Sequence, residues 1–230
     1  FDAEAEEVLA RLGVSGPFFM SMASDYPHKN MSTLLEAYEG LREARGGRGA
    51  PALVLPGRAP RARTAASVRA GGPIPGVRFL GAVSQQELRI LYQNALGLVF
   101  PSLYEGFGLP PLEAMAAGAP VAAMPFTSVH EVCRGAALFA EGLAPADLAR
   151  AMGRLADEPG LRRELREAGY RRVRELTWEK VARETAAVYR RTILNPSARS
   201  LQARRSLSEA IVLRATPAPP PAPAEVVAPP

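Results

Sequence analysis

The residues best suited to chemistry lie in one stretch, 101–118, which reads PSLYEGFGLPPLEAMAAG. It carries two carboxylates, Glu105 and Glu113, with seven residues between them. That interval holds Gly106, Phe107, Gly108 and Leu109, then Pro110 and Pro111. Glycine has no Cβ, so at 106 and 108 a ligand can approach the backbone closely. Proline suits the opening turn of a helix, where a missing N–H removes nothing. An apolar run at 96–100 leads in as a strand, and the small residues of 111–117 lead out as a helix. Strand, glycine loop and helix start in that order aim backbone N–H groups at whatever sits above the sheet edge, a ready anion site. Glu105, on the loop, can accept hydrogen bonds from hydroxyls. Glu113 is expected in the first turn of the following helix. Two acceptors flanking a row of amide donors suit a ligand with hydroxyls at both ends and phosphate between, the layout of a nucleotide sugar. The same residues also read as a solvated acidic loop with a capping glutamate. Spacing alone does not choose, because short motifs match by chance.

Such a site needs a sheet edge, and the chain predicts one. Apolar runs at 17–22, 52–55, 77–80, 96–100, 121–123 and 137–139 read as strands. Between and after them, 2–12, 31–44, 85–94, 147–156, 161–168 and 178–191 read as helices, with a helical turn at 129–133. Ser84-Gln85-Gln86-Glu87 is a capping box that starts one helix, and Thr177 is an N-cap for the last. A short helix is allowed within 58–76. Continuous apolar strands alternating with helices predict an α/β fold, a parallel Rossmann-like sheet covered on both faces. Ligands bind such sheets beyond the carboxyl ends of the strands, at the switch in strand order. The loops 23–30 and 101–110 both follow strand ends and are expected on one rim.

The stretch PSLYEGFGLPPLEAMAAGAPV closely resembles the donor-site signature of family-4 glycosyltransferases, which have the GT-B fold, and the likeness runs from about residue 18 to 189. The resemblance implies that Glu105 contacts hydroxyls of the donor sugar. It implies that the amides of Gly106, Phe107, Gly108 and Leu109 reach sugar and diphosphate, and that Glu113 binds the ribose. The segment His28-Lys29-Asn30 resembles one in which a lysine meets the donor diphosphate, so Lys29 joins Glu105 as a candidate catalytic residue. There it would offset charge on the leaving diphosphate. The family often has Gly and Arg six and five residues before this lysine, where this chain has Ala23 and Ser24. Arg58 is the candidate to replace the missing cation. By the same resemblance the base packs near Leu80 and Val83. Phe79 reads as a core strand residue.

The family implies retaining transfer of a hexosyl group from a nucleotide-diphosphate sugar to a glycan or lipid-linked acceptor, as in polysaccharide biosynthesis, without metal or cofactor. The chain then corresponds to the C-terminal, donor-binding half. The acceptor half would come from an N-terminal domain outside this sequence, and the isolated chain is expected to be inactive or weak. The competing expectation is a non-catalytic nucleotide-sugar-binding or interaction module. The missing arginine at position 24 favours it, and the intact glutamate pair disfavours it.

Composition sets the frame. In 230 residues, 47% are hydrophobic and 22% charged, as in a soluble globular protein. The chain starts with Phe1, shows no signal peptide and is expected to be a piece of a longer or processed chain. No apolar run reaches the ~20 residues of a membrane span. Cys133 is the only cysteine, which excludes an internal disulfide and fits a reducing compartment. A cytoplasmic location is expected, with peripheral contact at the inner membrane face as a sharper alternative drawn from lipid-linked acceptors. The net charge of +5 and pI near 9.8 come from arginines at 162–174 and 190–205. These read as a solvated helix face, and no nucleic-acid reader motif accompanies them. His130 and Cys133 are three apart, but no ligand cluster has zinc-site spacing. Trp178 and Tyr189 read as core. Residues 1–195 are expected to form the domain, and 196–230 an Arg/Ser-rich, then Pro/Ala-rich, linker or tail.

Overall fold

The computed structural model describes residues 3–22, 24, 26–47, 49–57 and 74–194. Arg58, the helix allowed within 58–76 and the 196–230 tail fall wholly or mostly outside the described residues.

Among the described residues, six strands form one all-parallel sheet: β1 (Phe18–Met20), β2 (Ala52–Pro56), β3 (Val77–Gly81), β4 (Gly97–Phe100), β5 (Val121–Ala123) and β6 (Leu138–Phe139). Their order is β3-β2-β1-β4-β5-β6. The direction of winding therefore reverses between β1 and β4, where Phe19 and Met20 pair with Gly97 and Leu98.

Alternation along the strands builds two cores. Phe18, Met20, Leu98, Phe100, Val121 and Ala123 face one layer, with α1 (Ala3–Arg11), α3 (Gln85–Asn94), α4 (Leu109–Ala116) and α5 (Thr127–Val132) packed against it. Phe19, Leu53, Leu55, Val99 and Ala122 face the other, against α2 (Met31–Ala44) and α6 (Pro145–Asp157). Because successive side chains point to opposite faces, a strand apolar at every position must be covered twice. The α/β reading is thus observed as a doubly wound, Rossmann-like sheet.

Local signals place the helices. The Ser84 hydroxyl accepts from the Glu87 N–H while the Ser84 N–H donates to the Glu87 carboxylate, completing the capping box. The backbone N–H of Lys180 donates to Thr177 Oγ1, the expected N-cap of α8 (Trp178–Leu194).

Three expectations are corrected. Phe79 is 41% exposed, because β3 is the edge strand and has a neighbour on one side only. Trp178 and Tyr189 are 75% and 65% exposed, and no residue of α8 is buried. Helical spacing of apolar residues predicts an apolar stripe but not a partner for it. By contacts the chain divides into residues 1–176 and 177–230, and α8 belongs to the second unit. Finally, the arginines of α7 (Pro159–Glu175) are not all a solvated face. Arg162 donates to the carbonyls of Leu155 and Ala156, Arg166 to that of Gly118, and Arg172 to those of Glu131 and Val132. Arg162 and Arg172 satisfy carbonyls at the ends of α6 and α5, where intrahelical donors run out and a cation also suits the dipole, and Arg166 reaches the chain just past α4.

Candidate functional site

The loops after β1 and β4 meet at the strand-order reversal. After β1 the chain makes a short 3-10 turn, Pro27–Lys29, which ends at Asn30 in the left-handed region (φ 54°). Asn30 Nδ2 donates to the Pro101 carbonyl at 3.3 Å, and the Leu103 N–H donates to the His28 carbonyl at 2.8 Å. These two bonds tie the loops together, as the common-rim expectation required.

Across this seam, Lys29 Nζ lies 2.7 Å from Glu105 Oε1. The two side chains are 23% and 13% exposed, so the pair is largely screened from water. Lys29 Nζ also sits 5.8 Å from the centre of the Phe100 ring, a cation–π contact that holds the ammonium from below. A lysine has three N–H donors, so the ammonium can serve an anionic ligand while still contacting Glu105.

The backbone of Glu105 is anchored from the opposite side by α5. Its N–H donates to Thr127 Oγ1 at 3.4 Å, and its carbonyl accepts from Ser128 Oγ at 2.8 Å. Thr127 has φ 46°, a left-handed conformation that is an outlier for a β-branched residue. Such strain persists only where the surroundings enforce it, and it concentrates at functional sites.

The glycines play unequal parts. Gly108 has φ 98°, a backbone that favours glycine, and a Cβ there would lie 3.3 Å from Val129 Cγ2, close enough that the valine must give by a few tenths of an ångström. Around Gly106 nothing lies within 4 Å of such a Cβ, and its φ is not left-handed. Gly108 is the N-cap of α4, and Leu109 and Pro110 open its first turn. Phe107 and Leu109 are 42% and 47% exposed, and Gly108 between them is buried.

Glu113 departs from expectation. The helix starts at Leu109, ahead of the prolines, which puts Glu113 in the second turn and leaves no acidic residue in the first. The dipole falls off within that first turn, so it does little for this carboxylate. Instead the Tyr92 hydroxyl donates to Glu113 Oε2 at 3.4 Å. Glu113 lines a cleft of about 440 Å³ between α3 and α4, with Gln85, Arg89, Tyr92 and Gln93. Glu105 is not among the residues lining that cleft, nor are Leu80 and Val83, which are half-buried against the core.

Ser24 is half-buried and its hydroxyl accepts from the Tyr26 N–H at 3.3 Å, a turn contact rather than a charge substitute. His28 stacks on Tyr26 with ring centres 5.6 Å apart, and His130 packs on Phe139. Cys133 is fully buried, and burial pushes its thiol up to about 12. Among the described residues, no group of three or more His, Cys, Asp or Glu is placed to hold a metal ion.

Tyr92, Thr127, Ser128 and Asn30 have no individual signal in the sequence. They act through tertiary contacts with residues 21 to 71 positions away.

The chain is a doubly wound α/β sheet with a lysine–carboxylate pair at the reversal of strand order, where sheets of this kind bind their ligands. The chain belongs to the group 1 glycosyl transferases, whose family model matches residues 10–172. It is 35% identical over 180 residues to an MMP alpha-(1->4)-mannosyltransferase of Mycolicibacterium hassiacum, covering 76% of this chain and 43% of that protein. It is 32% identical over 123 residues to an O-antigen chain mannosyltransferase of Salmonella typhimurium, covering 53% of this chain and 33% of that one. Among solved structures, a sucrose-phosphate synthase from Thermosynechococcus elongatus superposes with a TM-score of 0.64 at 25% identity, over 82% of this chain and 49% of that chain. The chain thus spans less than half the length of these relatives.

Proposed function

We propose that this chain is the donor-binding, C-terminal half of a retaining transferase that moves a hexosyl group from a nucleotide-diphosphate sugar to a glycan or lipid-linked acceptor. The observation that carries the reading is the Lys29–Glu105 contact, which bridges the two loops at the strand-order reversal. Glu105 takes the hydroxyls of the sugar. Lys29 and the amides of Gly106, Phe107, Gly108 and Leu109 take the diphosphate. Glu113 takes the ribose hydroxyls in the cleft beside α3. In the free domain Lys29 and Glu105 satisfy each other, and the arriving diphosphate shares the ammonium. Charge that develops on the departing diphosphate then meets a cation already in position, which lowers the barrier without reorganisation.

The reading assigns this work to Lys29 and backbone amides rather than to a metal ion. The acceptor and the closure that excludes water come from a second, N-terminal domain, so the chain alone binds nucleotide and transfers little sugar. It places the protein in the cytoplasm, at the inner membrane face where the acceptor is lipid-linked. The relatives' names point to mannosyl transfer as the first chemistry to try.

Calorimetric titration of the chain with UDP, GDP and ADP, with and without EDTA, tests the reading. One nucleotide diphosphate should bind, EDTA should not change it, and Glu113→Ala should remove most of the heat. Binding that survives Glu113→Ala undiminished, or that requires a divalent cation, would overturn these assignments. A second reading, a non-catalytic module, draws on Ser24, whose place offers no second cation. Joining the chain to an acceptor domain and finding nucleotide binding without any transfer would favour it.

A further inference from the structure

We infer that Tyr92 is a positioning residue for the ribose-holding carboxylate: its buried hydroxyl donates to Glu113 Oε2 and turns the other carboxylate oxygen toward the ligand. The inference rests on the assignment of Glu113 to the ribose.

Tyr92 is 2% exposed, on the face of α3 that packs against the sheet. Its hydroxyl is its one side-chain polar group and must find a partner there. Two atoms face it: Glu113 Oε2 at 3.4 Å and Met22 Sδ at 4.0 Å. A thioether is a weak acceptor, so the carboxylate is the partner that matters. Burial, and then the neighbouring Glu113 carboxylate, push the phenol's pKa well above its usual value. The hydroxyl therefore keeps its proton throughout the neutral range and acts toward Glu113 only as a donor.

Glu113 is itself exposed. An exposed glutamate samples several rotamers, and fixing it on a ligand costs conformational entropy. A donor anchored in the core removes part of that loss before the ligand arrives. It also breaks the symmetry of the carboxylate: Oε2 is engaged, and Oε1 keeps its lone pairs for the paired hydroxyls of a ribose. Met22 follows β1, so the Tyr92 hydroxyl lies below the strand-order reversal, between the core and the cleft. The 3.4 Å separation is longer than the ordinary O–H···O range, as is common before a ligand tightens a site.

The test compares UDP and GDP with their 2′,3′-dideoxy analogues on the 230-residue chain, by calorimetry. The wild type should prefer the ribonucleotide. Glu113→Ala should erase that preference. Tyr92→Phe, which keeps the ring and its packing, should shrink the preference by about five-fold, the worth of one ordinary hydrogen bond. A purely structural role would lower the melting temperature and leave the ratio of affinities unchanged. Retention of the full preference in Tyr92→Phe, with its loss in Glu113→Ala, overturns the inference and spares the ribose assignment. Equal affinity of the wild type for both sugars overturns both.

Discussion

The two carboxylates of the 101–118 stretch sit in opposite kinds of structure. Glu105 is on a loop, yet it is fastened at three points: its side chain by Lys29, its N–H by Thr127 and its carbonyl by Ser128. Glu113 is on a helix whose backbone needs no such help, and its side chain meets the Tyr92 hydroxyl. A loop carries no repeating hydrogen bonds, so its geometry must be imposed from other elements. A helix fixes its own geometry, and the remaining freedom lies in the side chain alone. Loss of a tether should therefore shift the backbone at Glu105 and only the side chain at Glu113.

The largest effect should come from Lys29→Ala. It removes the cation from the diphosphate and leaves a mostly buried Glu105 carboxylate unpaired. Hydrogen bonds to charged groups are worth about 1.5–3 kcal/mol, which corresponds to a loss of roughly 10- to 150-fold in nucleotide-diphosphate affinity. The ribose preference set by Glu113 should survive. A Lys29→Ala chain that binds as well as the wild type would break the comparison at its main point.

Gly108→Ala comes next. The left-handed backbone penalises a Cβ by about 1–2 kcal/mol, and Val129 Cγ2, 3.3 Å from that Cβ, must shift slightly to admit it. Gly106→Ala meets neither obstacle. Denaturant titration should show Gly108→Ala destabilised by that amount and Gly106→Ala close to wild type. Equal effects at the two positions would mean that the loop, and not the helix cap, sets the requirement for glycine.

This contrast also marks what the sequence could tell. The helix at 31–44, the capping box at Ser84 and the fifth strand at 121–123 are found where local patterns put them. Each is fixed by periodicity or by a cap a few residues away. The common rim was legible because parallel sheets place loops at strand ends by rule. The Thr127 and Ser128 tethers were not, since nothing local links 105 to 127. Glu113 lies one turn deeper in its helix than the prolines predict, because proline at N1 is a preference and here the prolines fall at the second and third helical positions. Trp178 and Tyr189 failed for a different reason: an apolar stripe states what a face can do and not what covers it.

Ser128→Ala should be milder. It deletes one neutral hydrogen bond to the Glu105 carbonyl, worth about 1 kcal/mol. Affinity for a nucleotide-diphosphate sugar should fall about five-fold. Affinity for the nucleotide diphosphate alone should change less, since the sugar end is the part Glu105 serves. An equal loss for both ligands would mean that the tether supports the whole rim and not the Glu105 end of it.

The smallest effect near neutrality, and the one with the clearest sign, concerns Cys133, which caps α5, the helix that supplies both backbone tethers. Burial raises its thiol from an ordinary value near 9 to about 12. The folded chain therefore holds this proton more tightly than the unfolded chain does. The stabilisation is fully present below about pH 9 and is lost as pH rises toward 12. Nothing should change between pH 6 and 8. Above pH 9 the urea midpoint should fall more steeply for the wild type than for Cys133→Ala, which has no thiol to ionise. The raised pKa also keeps the thiolate scarce, so alkylation at pH 8 should be slow until the chain unfolds. If the two proteins keep parallel midpoints to pH 10.5, or if the thiol reacts at once in the native chain, α5 opens without global unfolding. Glu105 would then rest on a mobile support, and its advantage over Glu113 in tethers would not be an advantage in rigidity.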